Sequence, residues 1–566
     1  MVAESAKNKV KVIKDSIHGY IEVDEILILN FIDTPLFQRL RRVEQTSMRV
    51  LYPSARHDRF IHSIGTFYLG SKAFNYFKEN FIKDNEDKYS GFWDKWERSF
   101  TSACLLHDIG HAPFSHTCEN FFAKKMILID DGKREIPFIN QQLLDEMGQV
   151  LGEEEFKEFF NDYRNSMDAS PHEIVSCIVI LKKYIKPLLE LGADIELIIR
   201  AIIGCTYCKP KEEKGLKNCI IRMLNSPVID VDKLDYITRD TNLTGFENIS
   251  IDTERLLRSF TAVKEKTNDY YPAYNKNALS VIQNIIAANN AQQSWIVNHH
   301  VVVYHSYLLQ TAIRKIAKIM SPDRPEQWIY DFFSVDSIIG KVCCNGFEVN
   351  MLCDDDLWYL LKKYYDEVIE IKELLDRNIR KRAVWKSLAE FTMLFDDGKR
   401  DKMLNEGDFS FSEFVTYFGN ACSVAENLDF QLRIDLNESD KESITQDYIA
   451  CSEIVNEFAK TNDIEVGQFV ILQGGDPQKN KAVIARDKLR IQFSPGENGT
   501  KKYDEVMRSY PHAIQTPPDD NKSPRQAPSY FYLYYCSHLK EINKDDLCRF
   551  LKASEKFKHV ARIERA

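Results

Sequence analysis

Hydrophobic residues recur at helical spacing over most of this chain, a pattern that predicts a mainly α-helical protein. Before the first helices, residues 9–22 alternate apolar and polar side chains and include a glycine, which predicts a short strand or hairpin. From residue 25 the spacing becomes helical, and Asp33, Thr34 and Pro35 form a typical helix start with proline in the first turn. Residues 321–440 continue as helices joined by polar connectors, with predicted helices at 357–377, 388–395 and 411–425.

After about residue 464 the pattern changes to short strands. Residues 469–472, 489–493 and 530–535 are rich in β-branched and aromatic side chains, and Gly-, Pro- and Asp-rich breaks separate them. We therefore expect a mainly-α fold with a smaller α+β C-terminal region. The expected division is a core over residues 1–320 with an insertion at about 122–170, a helical extension over 321–460, and the α+β region over 461–566.

Bulk composition narrows the class of protein. The 566 residues are 44% hydrophobic and 12% aromatic, as expected for a globular chain. A net charge of −10 gives no general attraction to nucleic acid, although a local basic groove stays open. The most apolar helical segment, residues 296–313, is interrupted by asparagine and histidines, so no membrane span is expected. Scattered cysteines without a signal peptide favour reduced thiols and a cytoplasmic location.

The candidate chemistry centres on residues 105–116, Leu-Leu-His-Asp-Ile-Gly-His-Ala-Pro-Phe-Ser-His. On a helix, His107 and His111 would lie one turn apart, with Asp108 offset from His107 by about 100°. A cation between His107 and Asp108 needs ligands from other segments, and His62 upstream and Asp232 downstream can supply them. Such nitrogen and oxygen donors suit Fe, Mn, Mg or Zn rather than Cu(I) or an iron–sulfur cluster.

Charged neighbours of these residues suggest roles in phosphate chemistry. Arg59 precedes His62 by three residues, so both would point the same way, and an arginine there can hold a phosphate oxygen bidentately. His111 and His116 are candidates for proton transfer or phosphate binding. Glu119 follows His116 by three residues and could orient it and keep it protonated.

A second polar stripe lies downstream. Asp232, Tyr236 and Asp240 are spaced by four residues, so on a helix they line one face with a carboxylate, a phenol and a carboxylate. A purely structural stripe would be apolar. The composition of this one predicts a functional surface.

The order His62, His107-Asp108, Asp232 resembles the signature of the HD metal-dependent phosphohydrolase superfamily. The flanking segments 15–19, 33–41 and 59–63 resemble those of the HD-domain deoxynucleoside triphosphate triphosphohydrolases. The similarity is greatest to the catalytic core of the vertebrate SAM-and-HD-domain enzymes, without a SAM domain, and the motif order holds from about Lys11 to Gly245.

This resemblance implies an HD-domain helical core and metal-dependent hydrolysis of deoxynucleoside triphosphates to deoxynucleoside and inorganic triphosphate. It assigns the metal to His62, His107, Asp108 and Asp232. The catalytic group comprises His116 as general acid, Glu119 in place of the family's usual aspartate, His172 as a second catalytic histidine, and the adjacent His111. Substrate contacts fall on Gln45, Arg59, Lys233, Tyr236, Asp240 and Tyr304.

The resemblance also implies a regulatory nucleotide and a homo-oligomer. The residues that match a guanine-reading regulatory site are Lys11, Val12, Asp33, Gln38 and Arg41. Asp can accept hydrogen bonds from the N–H groups of the base, while Arg and Gln can reach its carbonyl oxygen and ring nitrogen.

Two departures leave alternatives open. The connection between Glu119 and Ser170 is longer than in the vertebrate enzymes, and residues 277–313 contain no Lys or Arg where relatives place phosphate-binding arginines. Either the insertion or a neighbouring subunit supplies these contacts, or the substrate has fewer phosphates. The alternative functions are an HD-type nucleotidase or phosphodiesterase acting on another nucleotide, and a nucleotide-sensing regulatory protein.

Overall fold

The computed structural model describes residues 9–84, 87–129, 134–165, 169–211, 213–246, 250–265, 268–387, 390, 469–473, 483–494, 499–509 and 531–536. The chain folds into two compact units, each assembled from segments that are distant in sequence. The first unit comprises Met1–Gln292, Met320–Tyr359 and Lys481–Lys522, and the second comprises Gln293–Ile319, Leu360–Asn480 and Ser523–Ala566. The division into three consecutive regions stays a prediction.

Helices dominate the described chain, which confirms the predicted fold class. In chain order the α-helices are α1 (Glu25–Leu27), α2 (Pro35–Arg39), α3 (Arg59–Asp84), α4 (Trp93–Leu106), α5 (Phe138–Val150), α6 (Glu153–Asn165), α7 (Pro171–Lys183), α8 (Ile185–Glu190), α9 (Ile195–Ile203), α10 (Glu213–Leu224), α11 (Val231–Thr244), α12 (Thr253–Arg258), α13 (Leu279–Gln292), α14 (His300–Met320), α15 (Pro325–Phe332), α16 (Val335–Ile339), α17 (Asp354–Lys363), α18 (Ile369–Leu375) and α19 (Tyr503–Ser509). Short 3₁₀ or π turns occupy Ile28–Ile32, Leu40–Arg42, Ser47–Val50, Ser115–Thr117, Glu119–Phe121, Lys276–Ala278 and Gln293–Val297.

The strands form small sheets. They are β1 (Val10–Asp15), β2 (Gly19–Asp24), β3 (Met126–Ile129), β4 (Arg134–Pro137), β5 (Phe260–Lys264), β6 (Tyr270–Asn275), β7 (Lys341–Cys344), β8 (Phe347–Asn350), β9 (Arg382–Ala383), β10 (Phe469–Gln473), β11 (Arg490–Gln492), β12 (Thr500–Lys502) and β13 (Phe531–Tyr535). In the first unit, β1–β2, β3–β4 and β7–β8 are hairpins, and a four-stranded sheet has the order β12-β11-β6-β5. In the second unit, a three-stranded sheet has the order β10-β13-β9.

Several sequence predictions can be followed onto these elements. Residues 9–22 form the antiparallel β1–β2 hairpin, and α2 begins at Pro35 as predicted. The helix predicted over 357–377 is instead two helices, α17 and α18, because Val368 adopts an extended backbone conformation between them. The helices predicted at 388–395 and 411–425 lie outside the described residues. Within the described chain, none of the helices combines the length and the apolar character that crossing a bilayer requires.

The long helix α3 is the centre of the first unit, packing against α4 and α11. Aromatic rings that approach one another at angles suited to edge-to-face contact fill the core between α3 and α4, notably Phe74, Phe77 and Trp93. Gly70 lies opposite Cys104, and a Cβ on it would come within 2.6 Å of the Cys104 Sγ atom. The two helices can therefore approach closely enough to place their ends at one site.

The turn that follows α4 packs directly against α7. The Gly110 N–H donates to Ser176 Oγ at 2.9 Å, and a Cβ on Gly110 would lie 2.3 Å from the Ser176 backbone nitrogen. Backbone cannot move aside as a flexible side chain can. Gly110 therefore fixes the distance between α7 and the turn that carries Asp108 and His111.

Replacing Gly110 with alanine is expected to separate this turn from α7 and destabilise the first unit. Overpacking of this kind typically costs about 1–3 kcal/mol, sometimes more. The apparent melting temperature should therefore fall well below that of Gly91→Ala, whose new Cβ has no heavy atom within 4 Å. Equal melting temperatures for the two variants would contradict the packing role of Gly110.

Candidate functional site

Three segments of the first unit bring the four predicted metal ligands together. His62 lies in the first turn of α3, His107 and Asp108 directly follow α4, and Asp232 lies in the first turn of α11. His62 Nε2 is 2.9 Å from Asp232 Oδ1 and 3.7 Å from Asp108 Oδ2. His107 Nε2 is 3.5 Å from Asp232 Oδ1 and 3.6 Å from Asp108 Oδ1.

The free ring nitrogens suit a cation. Within the described chain, Nε2 of His62 and Nε2 of His107 are buried and make no hydrogen bond of normal geometry. The other ring nitrogen of His107 lies 2.9 Å from the carbonyl oxygen of Cys104, so Nδ1 carries the proton and Nε2 faces the carboxylates. Histidines that ligate metals usually donate their second ring N–H in this way. Two imidazoles and two carboxylates can therefore hold a divalent ion here.

His107, Asp108 and His111 do not lie on one helix, in contrast to the arrangement that their spacing suggested. The helix α4 ends at Leu106, and residues 107–110 form a turn, so His107 and His111 are not stacked one helical turn apart. The turn lets His107 and Asp108 face the same point, while His111 faces a second histidine cluster.

The electrostatics of the site favour a positive charge between the carboxylates. Burial alone would lower the pKa of His62, but hydrogen bonds to Asp232 and Asp235 raise it to about 10. Burial would raise the pKa of Asp108, yet Arg59 and the surrounding histidines hold it below its usual range. The pKa of Asp232 is likewise held well below its usual value by His107 and His62, against its own burial. A proton here does part of what a metal ion would do.

Arg59 and Gln45 close one side of this site. Arg59 is buried, and its guanidinium donates to Asp108 Oδ2 at 2.8 Å, to Ser115 Oγ at 2.9 Å and to the carbonyl oxygen of Gln45 at 2.7 Å. The side-chain oxygen of Gln45 is buried and has no hydrogen-bond partner among the described residues. Arg59 therefore anchors a ligand carboxylate, while Gln45 retains an acceptor for a bound molecule.

The predicted catalytic histidines form a second cluster around Glu119. Nδ1 of His172 lies 2.6 Å from Glu119 Oε2, and Nδ1 of His116 lies 3.1 Å from Glu119 Oε1. His111 stacks on His172 with ring centroids 4.3 Å apart, and its Nε2 is 3.6 Å from Asp108 Oδ1. This histidine cluster thus lies directly beside the metal ligands.

The histidines of this cluster differ in charge. Burial would lower the pKa of His172, but the Glu119 carboxylate raises it above its usual value, which favours the imidazolium form of this ring. Burial, with Arg59 and the other histidines nearby, lowers the pKa of His111 well below its usual value, so that ring is neutral. The side chain of His116 is 53% exposed and can reach a bound molecule. The cluster therefore offers one charged group, one neutral group and one accessible group.

Asp232, Tyr236 and Asp240 all lie on α11, as their spacing predicted. The residues of this helix that were assigned to substrate differ in how free their polar groups are to contact a bound molecule. Lys233 is turned inward, where Nζ donates to Asp230 Oδ2 at 2.7 Å and to the Ser226 carbonyl oxygen at 2.8 Å. Asp240 is buried and contacts His57 Nε2 at 2.7 Å and Gln292 Nε2 at 2.6 Å. The Tyr236 hydroxyl is buried without a hydrogen-bond partner in the described chain.

Known proteins with similar sequences include deoxynucleoside triphosphate triphosphohydrolases. Over 261 residues, the chain is 33% identical to deoxynucleoside triphosphate triphosphohydrolase SAMHD1 of Danio rerio, covering 45% of this chain and 37% of that protein. Over 260 residues, it is 30% identical to the SAMHD1 homolog of Dictyostelium discoideum, covering 45% and 40%. The matches thus span about two fifths of these curated relatives. No family model matches the chain.

Solved structures agree at the level of the fold. A phosphohydrolase from Bacteroides thetaiotaomicron superimposes with a TM-score of 0.53 at 18% identity, covering 93% of this chain and all of that one. Taken together with the geometry above, the sequence similarities support an HD-type, dNTP triphosphohydrolase-like family for this chain.

In this HD-type protein, four of the five residues matched to a regulatory site form two contacting pairs. Lys11 Nζ is 3.4 Å from Asp33 Oδ2, and Arg41 Nε donates to Gln38 Oε1 at 2.9 Å. Val12, on β1, is exposed. Tyr304 belongs to the second unit, where its ring stacks on Tyr534 and its hydroxyl donates to Glu373.

Sequence reasoning missed three buried residues that hold the HD-type site in place. Arg39 donates to the carbonyl oxygens of Ile109 and His111. Asp354 accepts from the backbone N–H of Phe114, in the segment that follows α4. Asp235 contacts Nδ1 of His62 at 2.7 Å. Only Asp235 carried a sequence signal, since it lies three residues after a predicted ligand.

The pairing of Glu119 with His172 predicts a pH-dependent contribution to stability. The pKa of Glu119 is lowered in the folded protein, so its ionised carboxylate stabilises the fold at pH values above 4.5, the ordinary pKa of a glutamate. The pKa of His172 is raised, so its protonated ring stabilises the fold at pH values below 6.5, the ordinary pKa of a histidine. The stability difference between wild type and Glu119→Gln should therefore be largest between pH 4.5 and 6.5. It should become smaller as the pH falls below 4.5 or rises through the pKa of His172.

Thermal unfolding of wild type and Glu119→Gln from pH 4 to pH 9 measures this effect. The exposed Glu153, changed to Gln, serves as the control for loss of a surface charge. If Glu119→Gln is less stable than wild type by the same amount at every pH from 4 to 9, the ion pair between Glu119 and His172 does not contribute to stability.

Proposed function

We propose that this protein hydrolyses deoxynucleoside triphosphates to deoxynucleoside and inorganic triphosphate. The observation that carries the proposal is the meeting of His62, His107, Asp108 and Asp232 beside the histidine cluster around Glu119. Relatives that are 30–33% identical over about 260 residues are named as a deoxynucleoside triphosphate triphosphohydrolase or its homolog. A mixed imidazole and carboxylate site suits Fe, Mn, Mg or Zn.

A divalent cation in this site would supply Lewis acidity that activates water and neutralises phosphate charge. The residues of the chain supply the rest. His172, held as an imidazolium by Glu119, binds a phosphate oxygen and neutralises charge that grows on it. His116, accessible and oriented by the same carboxylate, donates a proton to the departing 5′-oxygen.

Other side chains position the nucleotide. The unpartnered acceptor of Gln45 and the unpartnered hydroxyl of Tyr236 are suited to the polar groups of a sugar. Asp240 is oriented by its contacts with His57 and Gln292, which suits it to accept a hydrogen bond from a 3′-hydroxyl. Arg59 stabilises Asp108 and retains N–H groups for a phosphate oxygen. A regulatory nucleotide near Lys11 and a homo-oligomer remain part of the proposal.

One observation favours a second candidate, an HD-type nucleotidase or phosphodiesterase. Lys233, assigned to phosphate, is bound to Asp230 and the Ser226 carbonyl oxygen, and residues 277–313 contain no Lys or Arg. A substrate with fewer phosphate charges needs fewer cationic partners. Assays of deoxynucleotides, ribonucleotides and phosphodiesters with Mn²⁺, Fe²⁺ and Mg²⁺, with product analysis, separate the candidates. Inorganic triphosphate supports the first function, and orthophosphate or a nucleoside monophosphate supports the second.

Asp108→Ala is expected to abolish turnover and bound metal together, because it removes a ligand and leaves the buried Arg59 guanidinium without its carboxylate. Metal content by elemental analysis and turnover on the best substrate measure both effects. Asp145→Ala, which removes an exposed carboxylate on α5, is the matched control. Normal turnover in Asp108→Ala would overturn the ligand assignment.

His116→Gln is expected to lower kcat by roughly 10²–10⁴-fold, the usual value of general acid catalysis, while metal content stays at the wild-type level. The loss should be smaller for a substrate with a better leaving group, such as a p-nitrophenyl ester, because that oxygen needs less help from a proton donor. A loss of equal size on both substrates would remove His116 from the proton-transfer role.

A further inference from the structure

Asp235 is a fully buried carboxylate behind the metal ligands. Its Oδ2 lies 2.7 Å from His62 Nδ1, on the side of the ring opposite the atom that faces Asp232. Its Oδ1 lies 2.6 Å from His18 Nε2, and Arg239 donates to both oxygens at 2.9 Å. Each carboxylate oxygen of Asp235 therefore accepts hydrogen bonds from two donors, one histidine and Arg239.

A second layer holds these partners in turn. Arg239 is fully buried and also donates to both oxygens of Asp15, at 3.0 and 2.7 Å. Asp15 is the last residue of β1, and His18 lies in the turn before β2. The β1–β2 turn thus contributes two side chains to the support behind His62.

An ionised carboxylate at Nδ1 decides which tautomer the imidazole adopts. A carboxylate can only accept, so Nδ1 of His62 must carry a proton, and Nε2, the atom that faces Asp108 and Asp232, is left as the one that a metal ion would bind. An imidazole bonded to a carboxylate in this way is also a better electron donor to a metal.

We propose that Asp235 is a positioning residue that keeps the His62 ring ready to bind the cation, and that His18, Arg239 and Asp15 hold Asp235 in that position. The affinity of the site for a metal ion then depends on the β1–β2 turn, which contributes no ligand. This inference rests on the metal-ligand part of the proposed function and is independent of the substrate.

Gly65 shows how closely this support is packed. It lies three residues after His62 on α3, and a Cβ there would come within 2.0 Å of Asp235 Oδ1 and 2.4 Å of an Arg239 guanidinium nitrogen. The carboxylate can approach the helix only because residue 65 has no side chain. An alanine at this position displaces Asp235 without removing any polar group.

The test is the dissociation constant for Mn²⁺ or Co²⁺, measured on the full chain by competition with a chelator. Asp235→Asn is expected to weaken binding about 10–100-fold, the usual effect of losing a supporting carboxylate. Asp269→Asn is the matched control, because Asp269 is also buried and paired with an arginine, Arg222, but contacts none of the ligands. Unchanged affinity in Asp235→Asn, or equal weakening in both variants, would overturn the proposal.

Gly65→Ala keeps the experiment decisive if Asp235→Asn does not fold. It should weaken metal binding in the same direction, whereas Gly215→Ala on α10, whose new Cβ meets the backbone oxygen of Asn268 and none of the ligands, should not. Weakening by Gly215→Ala to the same extent would attribute the effect to overpacking of the unit in general and refute the role of Asp235. The metal-affinity measurement contains no substrate. A failure of the protein to release triphosphate in a separate assay would therefore count against the proposed function and not against the role of Asp235.

Discussion

The first unit is built around buried negative charge that its own side chains neutralise only in part. Asp108 and Asp232 lie against two imidazoles at the meeting point of α3, α4 and α11. Buried carboxylates are costly unless cations and hydrogen bonds surround them. The raised pKa of His62 shows the same demand, since a proton is drawn into the site. A divalent cation meets this demand with a full charge and leaves the histidines neutral.

The need to balance the charge of Asp108 and Asp232 explains why so many buried polar residues surround the candidate metal ligands. Arg59 neutralises Asp108, Asp235 directs His62, and Arg39 takes the carbonyl oxygens of the turn after α4. The same turn leads into Phe114 and Ser115, whose φ angles of 53° and 50° lie in the left-handed region that non-glycine residues seldom adopt. Such backbone persists only where surrounding contacts hold it. Asp354 supplies one of those contacts, through the N–H of Phe114.

The candidate ligands were easier to propose from the sequence than the groups that support them. His62, His107, Asp108 and Asp232 could be proposed because ligand chemistry limits the residue types and their order, and the structure brings the four together. The β1–β2 hairpin could be found from its alternating pattern. Arg39 could not, because an arginine among other basic residues at the surface of a short helix has the same local pattern whether it is buried or exposed. The contact of Gly110 with α7 was also hidden, because Gly110 and Ser176 are far apart in the sequence.

The charge of the site bears directly on the number of phosphates in the substrate. Both basic residues assigned to phosphate have carboxylate partners, Arg59 with Asp108 and Lys233 with Asp230, so much of their charge is already balanced. His172 adds one positive charge, and it is shared with Glu119. A triphosphate would bring several negative charges, but nucleotides of this kind bind Mg²⁺ through their phosphates. A cation that arrives with the substrate would neutralise the outer phosphates where the chain does not, so the scarcity of free basic side chains is compatible with a triphosphate.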